Sequence, residues 1–495
     1  MITPMSEQRI MPILPEPSAK PLDLPSAKPK PLAPPRSDIQ YLPHQEVGVR
    51  WMLGREAVDA EICRGGILGD DMGLGKTFQT IGLLKNTPFS LRTLILCPPA
   101  LIAGWTEELV ACGFRVSEPF ALTGGRSDSD SENTVFLTTY NKAHIGRVRV
   151  SAARFERVIL DEGHIIRNGR DTQRWWSCMA IAKHSACRWI LSATPVQNGE
   201  QDWRNLCWWL HVDCGPSEIP GLAPTIMLRR TMDELRPALL SLLPPAPVFV
   251  SHELNIPLEG KTLAEGKLFR ALTNQLTTVM DSAQVSALIK LELYMRIQQF
   301  LVHPQIYIES MRSKFKGAYP RPDWTGSATK YAAFSEELAA SKEPTLIFCN
   351  FRTEMDRVID TANGMGFRVW SIRGGMGSEA VGVAVAEARA AAASGVPVAV
   401  VVQIVAGGAG LNLQFCSRIL FLSQHWNPAV VQQATGRAVR IGQKAVVRIH
   451  FFRVVDEVSD NIDRRMLILH SEKIAAARGI CQSLFEGFDS SSLVE

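Results

Sequence analysis

The stretch GGILGDDMGLGKTFQTI, residues Gly65–Ile81, decides the fold, because it joins a short apolar run to a helix through a glycine-rich turn. Ile67 and Leu68 form the apolar run, and apolar residues recur about once per turn after Lys76 and Thr77. Glycines let backbone N–H groups close on phosphate oxygens, and the N-terminus of a helix favours an anion. The stretch therefore predicts a phosphate-binding loop, with Lys76 on the β- and γ-phosphates and Thr77 on Mg²⁺.

One position of this loop departs from the strict phosphate-loop pattern. Asp70 lies five residues before Gly75, where the strict pattern has a glycine. At this point a plain turn that leads into a capped helix remains the alternative, and the rest of the chain has to decide between the two.

Length and composition restrict the class of protein. A chain of 495 residues with 46% hydrophobic content can bury more than one core, so two or three domains are expected. The net charge of +4 is close to zero, so it argues neither for nor against a nucleic-acid partner. Ten cysteines without a Cys-x-x-Cys pair favour free thiols in a reducing compartment. No long apolar run or signal sequence is found, so we expect a soluble intracellular protein without a membrane partner.

The N-terminal segment differs from the rest of the chain. Residues 1–36 contain ten of the thirty prolines and repeat Pro-Ser-Ala-Lys-Pro. Such a segment lacks backbone donors and core-forming side chains, so it predicts an extended, disordered arm. The arm could bind a protein partner, although a solvated tail is the commoner case.

Short apolar runs predict two series of buried parallel strands with helices between them. The first series comprises residues 93–97, 135–137, 158–160 and 189–191, and the second 346–348, 369–372, 398–402, 419–422 and 446–449. The fold class is therefore α/β, with two lobes of parallel sheet and a cleft between them. The predicted boundaries are the arm 1–36, lobe one 37–235, a helical linker 236–326, lobe two 327–478 and a tail 479–495.

Two acidic residues follow a strand of the first series directly. A strand-end Asp161 can hold Mg²⁺, and the neighbouring Glu162 can polarise an attacking water. A strand that ends in two acids also occurs as plain solubilisation, which is the alternative. Their position after a phosphate loop favours the catalytic interpretation.

The second lobe contains a pair of arginines near a predicted helix. Pro428 opens this helix, and the spacing of Gln433, Arg437 and Arg440 by four and three predicts that they share one helical face. Two arginines on one face are suited to act as arginine fingers on phosphate oxygens, and a solvated basic face is the alternative.

With these residues together, the chain resembles the Swi/Snf-related ATPases of helicase superfamily two, the ATP-driven translocases of double-stranded DNA. Motifs in the family's order carry the resemblance from about residue 42 to 473. They are Leu42–Gln45, Gly66–Thr77, Cys97–Ala100 with Trp105, Thr138–Tyr140, Asp161–His164 with Arg167 and Asn168, Ser192–Pro195 with Gln197 and Asn198, Leu228–Arg230, His303 with Pro304, Ala406–Leu413, Trp426–Pro428 and Gln433–Gln443. Within the family Asp70 is usual, and the chain looks most like the RING-bearing repair translocases and the transcription-termination ATPase, but without a RING cysteine set.

The resemblance implies two RecA-like lobes, ATP and Mg²⁺ as cofactors, and a role for each matched residue. The implied catalytic residues are Lys76, Asp161, Glu162, Arg437 and Arg440, with Thr77 and Asp161 on Mg²⁺. The implied nucleotide contacts are Gln45, Asp70, Met72, Gly73, Leu74, Gly75, Lys76, Thr77 and Gly410. The implied nucleic-acid or coupling residues are Pro98, Thr139, Asn168, Ser192, Thr194, Asn412 and Trp426.

The function that follows is a DNA-dependent ATPase that moves along double-stranded DNA, of the chromatin-remodelling or DNA-repair type. One alternative is a strand-separating DNA or RNA helicase, and another is a scaffold that binds ATP or DNA without hydrolysis. The expected partners are double-stranded DNA and, by resemblance, chromatin. The resemblance also implies a nuclear protein, or a cytoplasmic one if the source is prokaryotic or viral.

Overall fold

The computed structural model describes residues 31–57, 64–87, 91–121, 133–197, 199–212, 219–239, 242–256, 260, 263–281, 285–407, 411–455, 462–463, 465–466, 468 and 470–472. The predicted arm up to residue 30, the predicted tail and Gly410 lie outside these residues. The described chain forms two parallel sheets with helices, which confirms the predicted α/β class.

Lobe one is organised around a sheet of seven parallel strands in the order β3-β4-β2-β5-β6-β1-β7. Their bounds are β1 (Arg64–Leu68), β2 (Thr93–Cys97), β3 (Arg115–Ser117), β4 (Thr134–Thr139), β5 (Arg157–Asp161), β6 (Cys187–Leu191) and β7 (Met227–Leu228). The central strands β2, β5 and β6 are buried at every residue, because hydrophobic clusters cover both faces of the sheet.

Lobe two has six parallel strands in the order β10-β11-β9-β12-β13-β8. Their bounds are β8 (Val248–Leu254), β9 (Thr345–Cys349), β10 (Arg368–Ile372), β11 (Val398–Gln403), β12 (Arg418–Phe421) and β13 (Arg448–Val454). Two further hydrophobic clusters cover the faces of this sheet, and a fifth lies among the helices between β8 and β9.

The helices lie between and beside these strands. Their bounds are α1 (Pro43–Ala57), α2 (Lys76–Asn86), α3 (Ile102–Ala111), α4 (Tyr140–Ile145), α5 (Arg147–Ala152), α6 (Gln173–Ile181), α7 (Glu200–Trp209), α8 (Ile219–Ile226), α9 (Met232–Leu239), α10 (Leu263–Asp281), α11 (Ala287–Val302), α12 (Pro304–Lys314), α13 (Thr329–Ala339), α14 (Arg352–Gly364), α15 (Ser378–Ala393), α16 (Ile404–Gly407) and α17 (Pro428–Thr435). Among the described helices, none combines the length and apolar composition that a membrane crossing requires.

Strand β8 is a feature that the sequence did not predict, since it lies inside the stretch of 236–326 where the pattern was interpreted as helical. It pairs in parallel with β13 over seven residues, from Val248 beside Arg448 to Leu254 beside Val454. Because β8 is the edge strand of its sheet, it is not a continuous buried run, and its side chains alternate between exposed and half-buried over most of its length. The chain that leaves lobe one therefore enters lobe two through the edge of its sheet.

Candidate active site

Two glycines give the phosphate-binding loop its shape. Gly73 and Gly75 have φ angles of +87° and +84°, in the left-handed region that residues with a Cβ rarely adopt. A Cβ on Gly75 would also lie 2.4 Å from Nε2 of Gln45. Gly75 is the N-cap of α2, so Lys76 and Thr77 occupy the first turn of the helix as the sequence predicted.

Side chains from α1 hold the loop from one side. The Nε2 atoms of Gln45 and His44 lie 3.2 Å and 2.9 Å from the carbonyl oxygen of Leu74. Burial lowers the pKa of His44, so its ring is neutral at physiological pH. The Lys76 ammonium group donates to the carbonyl oxygen of Asp70 at 2.6 Å, so its side chain lies along the loop.

Asp70 belongs to a buried ion pair beneath the same loop. Its carboxylate is fully buried and accepts hydrogen bonds from the Arg230 guanidinium, one of them from Nε at 3.0 Å. Gln79 donates a further hydrogen bond to this carboxylate at 2.9 Å, and the Arg230 backbone N–H donates another at 3.1 Å. Both carboxylate oxygens are thus used within lobe one, where they fix the loop to the segment that follows β7. The predicted contact between Asp70 and a nucleotide stays a prediction.

Asp161 ends β5 and is held by two donors of its own lobe. Trp105 Nε1 donates to Asp161 Oδ2 at 2.7 Å, and the Glu162 backbone N–H donates to Oδ1 at 2.9 Å. Burial, together with the charge of Glu162, raises the pKa of Asp161 to about 6. The carboxylate is therefore ionised at neutral pH and lies at the end of its strand. Its predicted role on Mg²⁺, together with Thr77 on α2, stays a prediction.

Glu162 is in an unusual backbone conformation, with a φ of +51°. Burial would raise the pKa of Glu162, but the hydrogen bond and charge of His164, with the charges of Lys76 and Arg437, outweigh it and lower this pKa. His164 Nδ1 lies 3.3 Å from the Glu162 carboxylate and 3.1 Å from the Ser192 hydroxyl. Glu162 is thus an ionised carboxylate, as a group that orients an attacking water must be.

Residues of lobe two reach the same carboxylate from across the cleft. Gln433 Nε2 donates to Glu162 Oε2 at 3.4 Å. Arg437 is 5% exposed, and burial lowers its pKa to about 10 although Glu162 opposes the shift. Arg440 packs on the loop itself, because a Cβ built on Gly73 would lie 3.0 Å from the Cβ of Arg440. The structure therefore brings the predicted catalytic residues of both lobes to one site.

The predicted helical face for these residues is wrong in one respect. Helix α17 ends at Thr435, and Arg437 and Arg440 lie in the turns beyond it. Gly436, a weak helix former, caps this end, and a side chain there would meet Met72 of lobe one at 3.2 Å. The Arg437 carbonyl oxygen accepts a hydrogen bond from the Leu413 backbone N–H at 3.1 Å, which holds the turn in place.

A second contact joins the lobes near the site. Asn427 caps α17 through its Oδ1 and donates from Nδ2 to Gln197 Oε1 of lobe one at 3.1 Å. Gln197 in turn donates to Thr194 Oγ1 at 3.1 Å, and the Ser192 hydroxyl accepts from the Thr194 backbone N–H at 3.2 Å. Because His164 Nδ1 lies near both Ser192 and Glu162, a series of polar contacts connects the lobe interface with the Glu162 carboxylate.

The predicted nucleic-acid residues occupy different environments. Ser192 is fully buried, and Thr139 is used as the N-cap of α4, where its hydroxyl accepts from the Lys142 backbone N–H. Pro98 and Thr194 are half-buried, whereas Asn168, Asn412 and Trp426 are exposed. The exposed members can meet a duplex without rearrangement, and the DNA contacts of all these residues stay predictions.

Sequence reasoning missed two supporting residues of the site. Arg230 entered the sequence analysis only as part of the motif Leu228–Arg230, but it is the partner of Asp70, 160 positions away in sequence. Trp105 likewise appeared only beside the motif Cys97–Ala100, and in the structure it donates to Asp161. The absence of a glycine at position 70 was the available signal, because an acid beneath a phosphate loop requires a cation to neutralise it.

Two family models match the chain. The SNF2-related domain matches residues 44–215, and the helicase conserved C-terminal domain matches residues 329–442. The matched segments contain the loop, Asp161 and Glu162 in one case and Arg437 with Arg440 in the other, so both halves of the site fall within them.

Individual proteins show the same likeness. The chain is 27% identical to a probable global transactivator of Orgyia pseudotsugata multicapsid polyhedrosis virus, over 88% of this chain and 90% of the viral protein. It is also 27% identical to the DNA repair protein RAD5 of Candida albicans, over 41% of this chain and 22% of that protein. The SWI2/SNF2 ATPase core of Sulfolobus solfataricus, solved with double-stranded DNA, is similar with a TM-score of 0.38 at 21% identity, over 94% of this chain and 98% of that one.

Proposed function

The chain belongs to the SNF2-related family of helicase-like ATPases, and from this premise we propose that it hydrolyses ATP to move along double-stranded DNA. The observation that carries the proposal is the meeting of both lobes at Glu162. Lys76 of lobe one and Arg437 of lobe two both lower the pKa of this carboxylate, and Gln433 of lobe two contacts it directly.

Each half of the site supplies a different part of the chemistry. In lobe one, Lys76 and the backbone of the glycine-rich loop bind the phosphates of ATP, and Thr77 and Asp161 are the residues that would hold Mg²⁺. When bound, Mg²⁺ neutralises charge on the phosphate oxygens. Glu162 then orients the attacking water, while Arg437 and Arg440 approach the γ-phosphate and stabilise the charge of the transition state.

Movement along DNA would come from the dependence of this site on both lobes. The Asn427–Gln197 and Gln433–Glu162 contacts form only when the lobes are close. ATP that contacts residues of both lobes would favour this closed arrangement, and product release would permit opening. Repeated closure would advance two lobes that hold the duplex by its phosphates. Such contacts carry no base information, so binding should be largely independent of sequence and sensitive to salt.

ATP turnover with and without duplex DNA tests the proposal. We expect duplex DNA to stimulate phosphate release, and Lys76→Ala to abolish it. Lys183→Ala, which changes an exposed lysine of the same lobe, is the matched control and should behave as the wild type. Turnover that DNA does not stimulate, or full activity of Lys76→Ala, would overturn the proposal.

The two alternatives correspond to distinct outcomes of further assays. Displacement of a third strand from a duplex reports translocation, whereas efficient separation of a tailed duplex would identify a strand-separating helicase. ATP binding without phosphate release would identify a non-hydrolysing scaffold. The presence of Glu162 and Arg437 in one buried site supports hydrolysis over this last outcome, since binding alone requires neither residue.

Chromatin as the setting and the nucleus as the location rest on the resemblance to the Swi/Snf-related ATPases, and a viral protein also matches 88% of this chain. For this chain we propose double-stranded DNA as the partner, with chromatin as one context in which it is found. Imaging of the tagged full chain, nuclear or cytoplasmic, tests the location.

A further inference from the structure

Three side chains with metal-ligand chemistry meet at the edge of the second sheet. His252 lies on β8, His450 on the neighbouring strand β13, and Glu337 on α13, which packs beside them. One ligand atom from each residue lies within 4.8 Å of the other two. None of these residues belongs to the ATP site or to the motifs that define the family.

The distances in this cluster suit a small tetrahedral ion. His252 Nε2 lies 3.0 Å from His450 Nδ1. Glu337 Oε1 lies 3.5 Å from His450 Nδ1, and Glu337 Oε2 lies 3.8 Å from His252 Nε2. Zinc–ligand bonds of about 2.0–2.2 Å in a tetrahedron place neighbouring ligand atoms roughly 3.3 Å apart. One Glu337 oxygen and the two ring nitrogens already lie within 4.8 Å of one another, so a small rearrangement would bring these three atoms onto one ion.

The surroundings orient the ligands and leave a way in. Arg418, buried beside α13, donates to Glu337 Oε1 at 2.7 Å and leaves Oε2 facing His252. The His252 ring stacks on Phe452 at 4.6 Å, which fixes its plane. The side chains of His252 and Glu337 are 25% and 22% exposed, so an ion can enter from solvent and keep a water as its fourth ligand.

We propose that His252, His450 and Glu337 form a binding site for a divalent transition-metal ion of the zinc type. Two imidazoles and one carboxylate favour such an ion over Mg²⁺, which prefers six oxygen ligands. The bound ion ties β8 to β13 and α13. Because β8 is the strand by which the chain from lobe one joins lobe two, the ion fixes the attachment of that connection.

Metal binding changes the hydrogen-bonding of the two rings. Without metal, the 3.0 Å contact between the histidines requires one N–H between the two nitrogens. Both nitrogens must offer lone pairs to the ion, so this proton moves to the other nitrogen of its ring or to solvent. The second nitrogen of His450, Nε2, is buried without a hydrogen-bond partner within the described part of the chain, so no partner there fixes the tautomer.

Calorimetric titration of the full chain with Zn²⁺, after chelator treatment and without nucleotide, tests the site. We expect one ion per chain, with no corresponding heat from Mg²⁺. His252→Ala and Glu337→Gln should each weaken binding about tenfold or more. His184→Ala removes an exposed histidine of lobe one and should leave the affinity unchanged.

Hydrogen exchange gives a readout specific to the connection. Zn²⁺ should slow exchange in peptides that cover Val248–Leu254, and Mg²⁺ should not.

The Co²⁺ form should show the absorption of a four-coordinate ion, which His252→Ala loses. Zn²⁺ binding that survives in both variants would place the ion on the cysteines and overturn the proposal. Absence of Zn²⁺ binding would overturn it as well and leave the two histidines as a hydrogen-bonded pair.

Discussion

The two halves of the ATP site are built differently. In lobe one the predicted catalytic side chains form hydrogen bonds within their own lobe. Lys76 donates to the backbone carbonyl of Asp70, and Asp161 accepts from Trp105. In lobe two the corresponding groups lie at the end of a short helix and in the turn after it, and Gln433 reaches its partner only across the cleft. The difference indicates that lobe one is pre-organised, whereas the contribution of lobe two depends on closure.

The comparison has a consequence for rates. A pre-organised half-site can bind ATP whether or not the lobes are closed, but hydrolysis requires the groups that closure delivers. Changes in lobe two should therefore lower kcat and leave ATP binding intact. Changes beneath the loop of lobe one should instead reduce stability or binding.

The largest effect is expected for Arg437→Ala. Loss of an arginine finger lowers kcat by about 10³ to 10⁵, because the charge of the transition state loses its partner. Binding of a fluorescent ATP analogue should change little, since the loop belongs to the other lobe. Rapid-quench measurement of phosphate release, together with analogue binding, checks both halves of this expectation.

Arg437→Lys is the matched variant, as it keeps a positive charge and loses the rigid fork. It should recover only part of the rate. If Arg437→Ala weakened analogue binding as strongly as it lowered kcat, then lobe two would hold the ground state, and the distinction between the halves would fail.

Glu162→Gln should have the next largest effect. The amide keeps the size of the side chain but cannot accept the proton of the attacking water, so kcat should fall by about 10² to 10⁴. The variant should bind ATP normally and retain it, which single-turnover experiments measure. Near wild-type turnover would show that another group orients the water.

Asp70→Asn tests whether the buried acid beneath the loop is structural. Removing one partner of a buried ion pair costs about 3–5 kcal/mol, because the Arg230 charge stays buried without compensation. The midpoint of urea unfolding should fall accordingly. Lys142→Ala is the control, since its exposed pair with Glu118 is worth no more than about 1 kcal/mol. A stable Asp70→Asn protein with a raised KM for ATP would instead show that Asp70 contacts the nucleotide.

The smallest effect concerns pH. The pKa of Asp161 is about 6, so the carboxylate that we propose holds Mg²⁺ becomes protonated as pH drops through that value, and activity should fall. Trp105→Phe removes a hydrogen bond that favours the ionised form and should move this fall to higher pH by about one unit. A pH profile of kcat/KM at limiting Mg²⁺ measures the shift. An unchanged profile would assign the fall in activity to a group other than Asp161.

Much of the fold could be predicted because its signals are local. Buried central strands such as β2 and β5 are continuous apolar runs, and Gly75 followed by Lys76 indicates the start of α2. Strand β8 was not predicted, because it is an edge strand whose side chains are in large part exposed and it has no continuous apolar run. Its place in the second sheet depends on β13, some 200 residues later.

The residues of the site also differ in whether a local sequence pattern reveals them. Asp161 and Glu162 could be predicted because both follow one strand, whereas the Asp70–Arg230 pair joins residues 160 positions apart, which no local pattern reveals. Spacing by four and three predicted a helical face for Arg437 and Arg440, but Gly436 ends the helix first. The arginines reach the site all the same, because the turn is held by Leu413.

The central claim is that Glu162 of lobe one and Arg437 of lobe two act in a single site. The kcat of the double variant Glu162→Gln with Arg437→Ala tests it most directly, compared with each single variant. Residues that act as a unit are strongly non-additive, so the double variant should be about as slow as the slower single variant. A loss equal to the product of the two single losses would show that the residues act independently and would contradict the account.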